Sequence, residues 1–523
     1  MTSVAEPQGR LSKTSAIVRN VTSSWASIVI GIGFAFVLAP LTVRTLGDVH
    51  YGIWTLLMQL TGYLWLFDFG VRESVVKYVA QYHASDDRRG IETTVRTAVS
   101  IYSVVSLATM TVGVMLAVAL PYLFNIPAAE VTTARITAML VAGTVAQTFV
   151  FNVFTGVVMG LQKFYMVARL GTILTVVRGV LMFILLQAGF GLLTLAFVQF
   201  ASTLASNLLI YRIARRQLPY VSVRLVVPSR AEALKLFNYG KYVLVSNIGD
   251  KLVFATDAIV IGIFQPIAAL TYYAIGATLI QQLRTFIASM GSILNPLSSD
   301  LEARNDNRSI TRVVLSGTKA AMLLGLPVCI GFIVLGGRFI TLWMGAEYAG
   351  NSAIILTVLA TGHLIGLPYY TISAVLYGLG RHRIIAWSRV FEGTTNLLLS
   401  VILVQRYGIV GVAIGTALPH IIVVFGLLPR VLPRWIPMDL GEYYVSTYAR
   451  PLLATTPFVL ACLYIARVVV PANFFSFFAS IAVALPLYVV PIWFLALTAD
   501  ERAAAREYLH HRLHRRTAVR EAT

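Results

Sequence analysis

The residues of this chain that could do chemistry are charged side chains inside long apolar runs. Asp68 and Arg72 are four residues apart in one such run, and Glu73 and Lys77 repeat that spacing close by. A charge inside a bilayer costs at least about 2.5 kcal/mol on insertion scales, so each of these side chains needs a partner or a function. The helical spacing predicts two intrahelical ion pairs. The alternative is a polar site that uses the deeper pair, Asp68 and Arg72.

A second group of charges lies further along the chain. Asp250 and Asp257 are seven residues apart, which is about two helical turns and places them on one face of a helix. Lys251 adjoins the first of them, and Arg284 and Arg178 lie inside other apolar runs. Because deep cations are tolerated only against the bundle interior or water, they favour a hydrated, basic cavity. Such a cavity selects an anion, and arginine binds phosphate through a two-pronged contact.

The remaining reactive residue types exclude several classes of function. Cys329 and Cys462 are far apart inside apolar runs, so neither a disulfide framework nor a cysteine metal site is expected. No glycine-rich phosphate loop followed by Lys and Ser or Thr occurs, so ATP hydrolysis is not expected. No nucleophile cluster or carboxylate pair lies on a long loop, so the sequence predicts neither an enzyme nor a bound cofactor.

Two single residues and the C-terminal tail are open to interpretation. His363 is either a hydrogen-bonded structural residue or a proton carrier, and Lys319 is expected near the membrane interface. The segment 510–516, which alternates histidine with arginine, is interpreted as a basic tail near anionic headgroups rather than as a metal site.

The elements that must position these charges are membrane-spanning helices. The chain of 523 residues is 58% hydrophobic and 12% charged, whereas a soluble domain carries roughly a quarter charged residues. A bilayer core requires about 20 apolar residues per helix. Apolar runs of that length predict an all-α, polytopic membrane protein of about fourteen transmembrane helices, at residues 17–39, 52–79, 97–122, 131–156, 165–187, 191–213, 236–264, 270–297, 313–335, 353–378, 384–404, 408–428, 448–470 and 474–497.

The basic residues predict the orientation of these helices. Alternate links and the two termini carry roughly 29 Lys and Arg residues, and the opposite links carry about five. This bias places both termini in the cytoplasm and explains the net charge of +19 without nucleic acid. The polar residues 1–13 contain no cleavable signal, so the first helix is expected to target the chain to the membrane.

An internal repeat predicts two lobes. Residues 160–163 (GLQK), followed by Gln187, recur at a constant offset of 218 as residues 378–381 (GLGR), followed by Gln405. The links 84–88 and 304–308 match at nearly the same offset. Because six is an even number, two six-helix copies have the same orientation and are related by a pseudo-two-fold axis along the membrane normal. The predicted division is a first lobe at 1–218, a basic cytoplasmic linker at 219–235, a second lobe at 236–435, two additional helices at 436–500 and a basic tail at 501–523.

Several short motifs resemble one family of membrane transporters. Residues 46–54 (LGDVHYGIW), 67–70 (FDFG) and 77–80 (KYVA), together with the two repeated turns, resemble polysaccharide biosynthesis flippases. These proteins belong to the multidrug/oligosaccharidyl-lipid/polysaccharide exporter superfamily. The resemblance covers essentially the whole chain and implies fourteen helices in two six-helix lobes plus a terminal pair.

The resemblance implies Wzx-type translocation of an undecaprenyl-diphosphate-linked oligosaccharide, such as a repeat unit of O-antigen, capsule or exopolysaccharide, to the outer leaflet of a bacterial inner membrane. The basic cavity fits the diphosphate, and the expected ligands are Arg72, Lys251 and Arg284, with Arg178 as a further candidate. Asp68, Asp250 and Asp257 are expected to couple transport to H⁺ or Na⁺. Expected partners are the lipid-linked oligosaccharide, membrane lipids, a polysaccharide polymerase and glycosyltransferases, with no nucleic acid.

Three alternatives remain open at this stage. A multidrug antiporter of the same superfamily favours an acidic or aromatic cavity, which the deep cations of this chain do not support. A lipid II flippase shares the mechanism, so the sequence separates it poorly from the first interpretation. A non-transporting scaffold of a glycan-export complex would tolerate neutralisation of the deep charges, whereas a flippase would not.

Overall fold

A computed structural model describes residues 8–220, 225–289, 291–503 and 506–507, without the side chains of 8–30, 238–247, 250, 254 and 292–293. Helices account for most of this part of the chain. They are α1 Gln8–Leu64, α2 Val71–Ala84, α3 Arg88–Leu123, α4 Val131–Gly160, α5 Phe164–Gln187, α6 Leu192–Gln217, α7 Arg230–Phe254, α8 Thr256–Phe264, α9 Ala269–Ala288, α10 Gly291–Ala303, α11 Asn307–Trp343, α12 Ala349–Gly366, α13 Tyr369–Gly378, α14 His382–Ile421, α15 Leu428–Val431, α16 Leu440–Tyr444, α17 Arg450–Ala454, α18 Thr456–Tyr464, α19 Phe474–Ala484 and α20 Pro486–Pro491. The π-helical segments Ile422–Leu427, Val445–Ala449, Ile465–Val469 and Ile492–Ala496 extend α14, α16, α18 and α20.

The helices confirm a polytopic membrane protein. Every predicted span coincides with a helix or with two helices separated by a break, and ten helical stretches of the described residues are long and apolar enough to cross a bilayer. Large apolar side chains are widely exposed on the outer faces, for example 85% of Phe475 and 79% of Val483. Water does not favour such a surface, whereas lipid does.

Breaks divide several of the predicted spans for identifiable reasons. Gly408 adopts φ 55° and ψ −138° inside α14, a conformation open to glycine, and this turn separates the predicted spans 384–404 and 408–428. Leu367 and Pro368 separate α12 from α13, and Ala255 separates α7 from α8, although all three residues keep right-handed helical dihedral angles. Proline offers no backbone N–H to a helix, so α12 ends before it.

The structure contains two compact units, and each has its own core. The first consists of Met1–Ala274 and Arg389–Val412, and the second of Ile275–Ser388 and Ala413–Thr523. In the first unit, Val71, Val75 and Val79 form a fully buried stripe on α2 that packs against α3 and α4. The Tyr102 ring of α3 stacks on the Phe149 ring of α4 at 5.8 Å. The division into lobes at 1–218 and 236–435 stays a prediction.

The second unit is organised around α11. This helix packs against α12, α13 and the C-terminal helices. Thr318 of α11 lies 3.0 Å from the Thr447 hydroxyl, and Tyr488 donates a hydrogen bond of 2.5 Å to the carbonyl of Leu323. Tyrosine and threonine hydroxyls thus join the last helices to α11 in an otherwise apolar contact.

Lys319 of α11, which we expected near the membrane interface, is buried within the protein, and its depth in the membrane stays a prediction. Its side chain is 5% exposed and lies 2.9 Å from the carboxylate of Glu501, which follows the last helix. Burial raises the pKa of Glu501, but hydrogen bonds from Thr498 and Lys319 outweigh burial and hold that pKa below its ordinary value. The sequence did not place a carboxylate near Lys319 because the pair is 182 residues apart.

The repeated sequence links have the same local structure in the two units. Gln162 and Gly380, at the third position of each repeated turn, both adopt left-handed conformations, with φ 60° and 68°. Asp86 and Asn305 do the same in the other pair of links, with φ 52° and 54°. In the second of these links, hydrogen bonds from Ser309 hold the pKa of the capping residue Asp306 below its ordinary value. The repeat therefore extends from sequence to backbone conformation.

Helix α3 approaches α4 closely at Gly113, and this contact generates a test. A Cβ atom at this position would overlap the Cβ of Ala142. We expect Gly113→Ala to destabilise the protein by about 1–3 kcal/mol through overpacking, and Ala142→Gly in the same chain to restore the stability. Thermal unfolding in detergent measures both effects. Gly171→Ala, which meets no atom within 4 Å, is the matched control; equal melting temperatures of G113A and G171A would contradict the contact.

Candidate functional site

The most irregular backbone of the first unit lies between α1 and α2. A 3-10 turn, Trp65–Asp68, ends in two consecutive left-handed residues, Phe69 with φ 51° and Gly70 with φ 68°. Left-handed geometry costs a residue other than glycine roughly 1–2 kcal/mol, so the surroundings must stabilise Phe69. This break lies inside the predicted span 52–79, where lipid cannot satisfy free peptide groups. We therefore regard the break as the first candidate site.

Tyr102 of α3 satisfies the polar groups of this break. Its hydroxyl donates a hydrogen bond to the carboxylate of Asp68 and accepts one of 2.9 Å from the backbone N–H of Arg72. The guanidinium of Arg72 lies 2.5 Å from the carboxylate of Glu73, and the Arg72 side chain stays 39% exposed. Arg72 is thus held in place and remains accessible to a ligand.

This arrangement corrects one of the two predicted ion pairs, that of Asp68 with Arg72, whereas the pair of Glu73 with Lys77 stays a prediction. Asp68 and Arg72 do not form an i,i+4 pair on one helical face, because the chain leaves helical geometry between them at Phe69 and Gly70. Arg72 pairs instead with its neighbour Glu73, which we had assigned to Lys77. Spacing arguments assume a continuous helix, and two left-handed residues invalidate that assumption.

Lys251 on α7 lies against α1 just before the break. Its ammonium would be 3.1 Å from a Cβ added at Gly62, and the Tyr63 hydroxyl lies 3.0 Å from that of Thr256. Gly62 therefore leaves the space that the lysine side chain occupies. The structure brings Lys251 to the segment that leads into Asp68 and Arg72.

The two carboxylates of the second charged group are on different helices. Asp250 lies on α7, with its side chain outside the described part of the structure, and Asp257 lies in the first turn of α8. Ala255, which separates the two helices, keeps right-handed helical dihedral angles, so the shared face of Asp250 and Asp257 stays a prediction. Asp257 is 7% exposed and accepts a short hydrogen bond from the hydroxyl of Tyr273.

Arg178 has its own partner on a neighbouring helix. Its guanidinium on α5 donates a hydrogen bond of 3.0 Å to the side-chain carbonyl of Gln199 on α6. This cation therefore belongs to the α5–α6 contact, whereas Arg72 and Lys251 lie beside the break.

Arg284 in the second unit borders an open groove. Its guanidinium donates a hydrogen bond of 3.2 Å to the hydroxyl of Tyr370 on α13. Tyr370 lines a groove of about 510 Å³ together with Asn295, Ser373 and Tyr377. Amide, hydroxyl and aromatic groups of this kind suit a sugar, and the adjacent guanidinium suits an anion.

The start of α7 is attached to α2 by a set of contacts that we call the α2–α7 junction. The Ser74 hydroxyl donates a hydrogen bond of 2.8 Å to the carbonyl of Leu236, and the ring centroids of Phe69 and Phe237 are 5.7 Å apart. Lys235 lies over the Tyr78 ring at 4.3 Å. These contacts connect a helix of the predicted first lobe to one of the predicted second lobe.

The sequence analysis missed a buried polar seam on α14. Arg389, inside the predicted span 384–404, is 4% exposed and lies 2.9 Å from Glu392. The Asn396 amide donates a hydrogen bond of 3.0 Å to the carbonyl of Val253, and the Ser400 hydroxyl donates one of 2.9 Å to the side-chain carbonyl of Asn396. The spacing of three and four residues could have revealed this face, because it repeats at the helical period.

Comparison with known proteins identifies the relatives of this chain. The family model described as polysaccharide biosynthesis protein matches residues 17–302. A protein of Haloferax volcanii named as a low-salt glycan biosynthesis flippase, Agl15, is 29% identical over 198 residues, which are 38% of this chain and 42% of that protein. A protein of Shigella flexneri named as an O-antigen transporter is 22% identical over 401 residues, which are 75% of this chain and 91% of that protein. The first match thus spans less than half of the Haloferax protein.

Solved structures share the fold. The lipid II flippase MurJ aligns with a TM-score of 0.71 at 14% identity, covering 91% of this chain and 98% of that one. A multidrug resistance transporter of the MATE family in the MOP superfamily aligns with a TM-score of 0.63 at 16% identity, covering 80% and 99%. At these identities the comparison establishes the fold, and function requires its own argument.

The hydroxyl of Tyr102 is the testable element of the break. We expect Tyr102→Phe to lower stability by roughly 1–3 kcal/mol, because it removes the donor to Asp68 and the acceptor for Arg72. When Tyr102→Phe is combined with Asp68→Asn, it should lower the free energy of unfolding by less than it does in the wild-type protein. Melting temperatures in detergent measure the cycle, with Tyr122→Phe, 82% exposed, as control. Strictly additive effects would show that Tyr102 and Asp68 are independent.

Proposed function

The chain belongs to the family of polysaccharide biosynthesis proteins, and we propose that it is a flippase for an undecaprenyl-diphosphate-linked oligosaccharide. In this proposal the cargo passes from the cytoplasmic to the outer leaflet of a bacterial inner membrane by alternating access. The names of the relatives support a transporter of lipid-linked glycans rather than an enzyme.

The single observation that carries the proposal is the accessible Arg72 at the broken second span. Irregular backbone at membrane depth is tolerated where it is buried in protein or lines a water-filled cavity. Arg72 is anchored through its N–H to Tyr102 and through its guanidinium to Glu73, yet it is 39% exposed. A preorganised, accessible guanidinium is suited to bind a diphosphate in two-pronged geometry.

The proposed anion ligands are Arg72, Lys251 and Arg284, with Arg178 as a further candidate. Lys251 lies against the segment before the break, which supports its role beside Arg72. The hydrogen bond from Arg284 to Tyr370 holds the guanidinium at the edge of a groove with amide and hydroxyl groups. In this proposal Arg284 binds the charged end of the cargo, and the groove accepts a sugar.

The charge of the diphosphate supports an outward direction. Moving one elementary charge through 100 mV is worth about 2.3 kcal/mol. With a negative cytoplasm, an anion moves outward in the favourable direction. The positive-inside bias supports cytoplasmic termini, and in this orientation the basic links would face the leaflet from which the cargo is taken.

Asp68, Asp250 and Asp257 are proposed to couple transport to H⁺ or Na⁺. Asp68 and Asp257 each accept a hydrogen bond from a tyrosine hydroxyl, Tyr102 and Tyr273 respectively. An ionised carboxylate has about four acceptor lone pairs, so it can accept from a tyrosine hydroxyl and also bind a proton or a cation. Binding of the coupling ion would then reset the carrier after release of the cargo.

The α2–α7 junction supports alternating access. Among the described side chains it includes two hydrogen bonds, from Ser74 to Leu236 and from Lys235 to Tyr82, an aromatic contact and a lysine over tyrosine rings. Each of these interactions contributes roughly 0.5–2 kcal/mol, so the junction can open without unfolding either helix. We propose that it opens on the cytoplasmic side when the cargo enters. A polysaccharide polymerase and glycosyltransferases are the proposed partners.

A lipid II flippase is the second candidate, favoured by the fold similarity to MurJ. Both cargoes carry a polyprenyl diphosphate, so the cations are common to the two proposals. The two differ in the sugar, which the groove beside Tyr370 would select.

Transport by Arg284 variants tests the proposal. In proteoliposomes with a fluorescent polyprenyl-diphosphate sugar, we expect Arg284→Ala to slow flipping about tenfold or more, because a charge-assisted contact contributes roughly 1.5–3 kcal/mol. Arg304→Ala is the control, since this arginine is 70% exposed in a link. No flipping by the wild-type protein under any ion gradient would contradict a flippase, and equal rates in R284A and R304A would contradict the role of Arg284.

The coupling role of the carboxylates is tested by the triple variant Asp68→Asn, Asp250→Asn and Asp257→Asn. We expect it to lose the dependence of flipping on proton and sodium gradients, because amides neither titrate at neutral pH nor attract a cation. Initial rates with and without each gradient provide the measurement. A triple variant with the normal gradient dependence would eliminate these residues as coupling sites.

A further inference from the structure

Two histidines form a buried pair in the second unit. His363 is 4% exposed and His420 is 2% exposed, and their ring centroids are 5.0 Å apart with the planes inclined by 33°. His363 lies in the last turn of α12 and His420 in the last turn of α14. The pair therefore lies where α12 ends before Pro368 and α13 begins.

The packing around the pair is specific to imidazole. The Nδ1 atom of His363 lies 3.0 Å from the carbonyl of Leu359, which fixes a hydrogen on Nδ1 and leaves Nε2 as the acceptor of the neutral ring. A Cβ atom at Gly366 would overlap the Nε2 side of His420. Glycine at this position thus permits the ring to approach α12.

The pair is connected to the proposed anion ligand. The Tyr369 ring lies 6.2 Å from the His420 ring and 5.7 Å from that of Tyr370. The hydroxyl of Tyr370 accepts the hydrogen bond from Arg284. Contiguous side chains in the first turn of α13 therefore connect the imidazoles to the guanidinium.

Other titratable groups lie on the elements that pack against α12 and α13 or against their neighbours. They are Lys319, Cys329 and Arg338 of α11, Glu347 and Tyr348 before α12, Asp300 and Glu302 of α10, Tyr369 and Tyr370 of α13, and Tyr443, Tyr444 and Tyr448 of residues 440–449. Lys319 is paired with Glu501, Arg338 donates to the carbonyl of Pro471, and Tyr448 donates to that of Ile365. The described residues contain no group of three or more His, Cys, Asp or Glu side chains suited to a metal, so a metal is not the ligand argued here.

We propose that His363 and His420 together bind one proton, and that this proton and an anionic diphosphate at Arg284 favour each other's binding. Two imidazolium charges in contact repel, so the pair accepts one proton in preference to two. A positive pair and Arg284 also repel, and a bound diphosphate removes that repulsion. Linkage is reciprocal: if the bound anion raises the affinity of the pair for a proton by some factor, the bound proton raises the affinity for the anion by the same factor. The linkage rests on the proposed function, whereas the proton site itself does not.

The test measures proton uptake together with binding. Geranylgeranyl diphosphate is titrated into the full-length protein in detergent between pH 5 and 8, and binding and proton release or uptake are recorded by calorimetry in buffers of different ionisation enthalpy. From pH 8 to pH 5.5, we expect the affinity of the wild-type protein for geranylgeranyl diphosphate to rise at least about fivefold more than that of the His363→Gln/His420→Gln variant. A fivefold effect is typical of linkage between two sites. Ionisation of the ligand is common to both proteins and cancels.

Two further variants separate the pair from its connection. Tyr370→Phe, which removes the contact to Arg284, should keep the proton site and lose most of the linkage. His382→Gln, an exposed histidine at the start of α14, should behave like the wild type. A pH dependence that is unchanged in the double histidine variant overturns the linkage.

Histidine NMR of the wild-type protein keeps the inference falsifiable if the variants fold poorly. With isotope-labelled histidine, the two rings should show coupled titrations that involve one proton between pH 5 and 9. Two rings that do not titrate in that range overturn the proton site. If the wild-type protein takes up the proton but flips no lipid, the proposed function is contradicted and the proton site stands. If flipping does not depend on pH and the double histidine variant flips at the wild-type rate, the proton site is contradicted and the proposed function stands.

Discussion

Every polar group at membrane depth must find a partner within the protein, and the structure of this chain follows from that constraint. Lipid offers no hydrogen bonds, so a broken helix or a deep charge is stable only where a neighbour supplies them. The break at Phe69 and Gly70 satisfies the constraint through one hydroxyl. Tyr102 bonds both the Asp68 carboxylate before the break and the Arg72 N–H after it.

Tyrosine hydroxyls fulfil this role at several of the deep charges. Tyr102 contacts Asp68, Tyr273 contacts Asp257, and Tyr370 contacts Arg284. A tyrosine ring packs in an apolar bundle while its hydroxyl remains a donor and an acceptor. A tyrosine hydroxyl therefore orients a charged side chain without adding a charge of its own.

Titratable side chains lie close to the ends of several helices. Arg72 follows the left-handed residues Phe69 and Gly70, Asp257 lies in the first turn of α8, and His363 lies in the last turn of α12. Only the first of these places has left-handed backbone, because Ala255 and Pro368 keep right-handed helical dihedral angles. Left-handed geometry therefore marks the segment before Arg72 as the strained one.

The sequence by itself determined the membrane class, the positions of the helices and the repeat, because apolar length and basic links are local properties. The left-handed residues of the repeated turns confirm how strongly local sequence specifies those links. Only the tertiary structure decided the partners. Arg72 contacts Glu73 rather than Asp68, Arg389 and Lys319 are buried, and His420 stacks near a histidine 57 residues away. These outcomes depend on where helices break and which faces meet, and helical spacing alone assumes that no helix breaks.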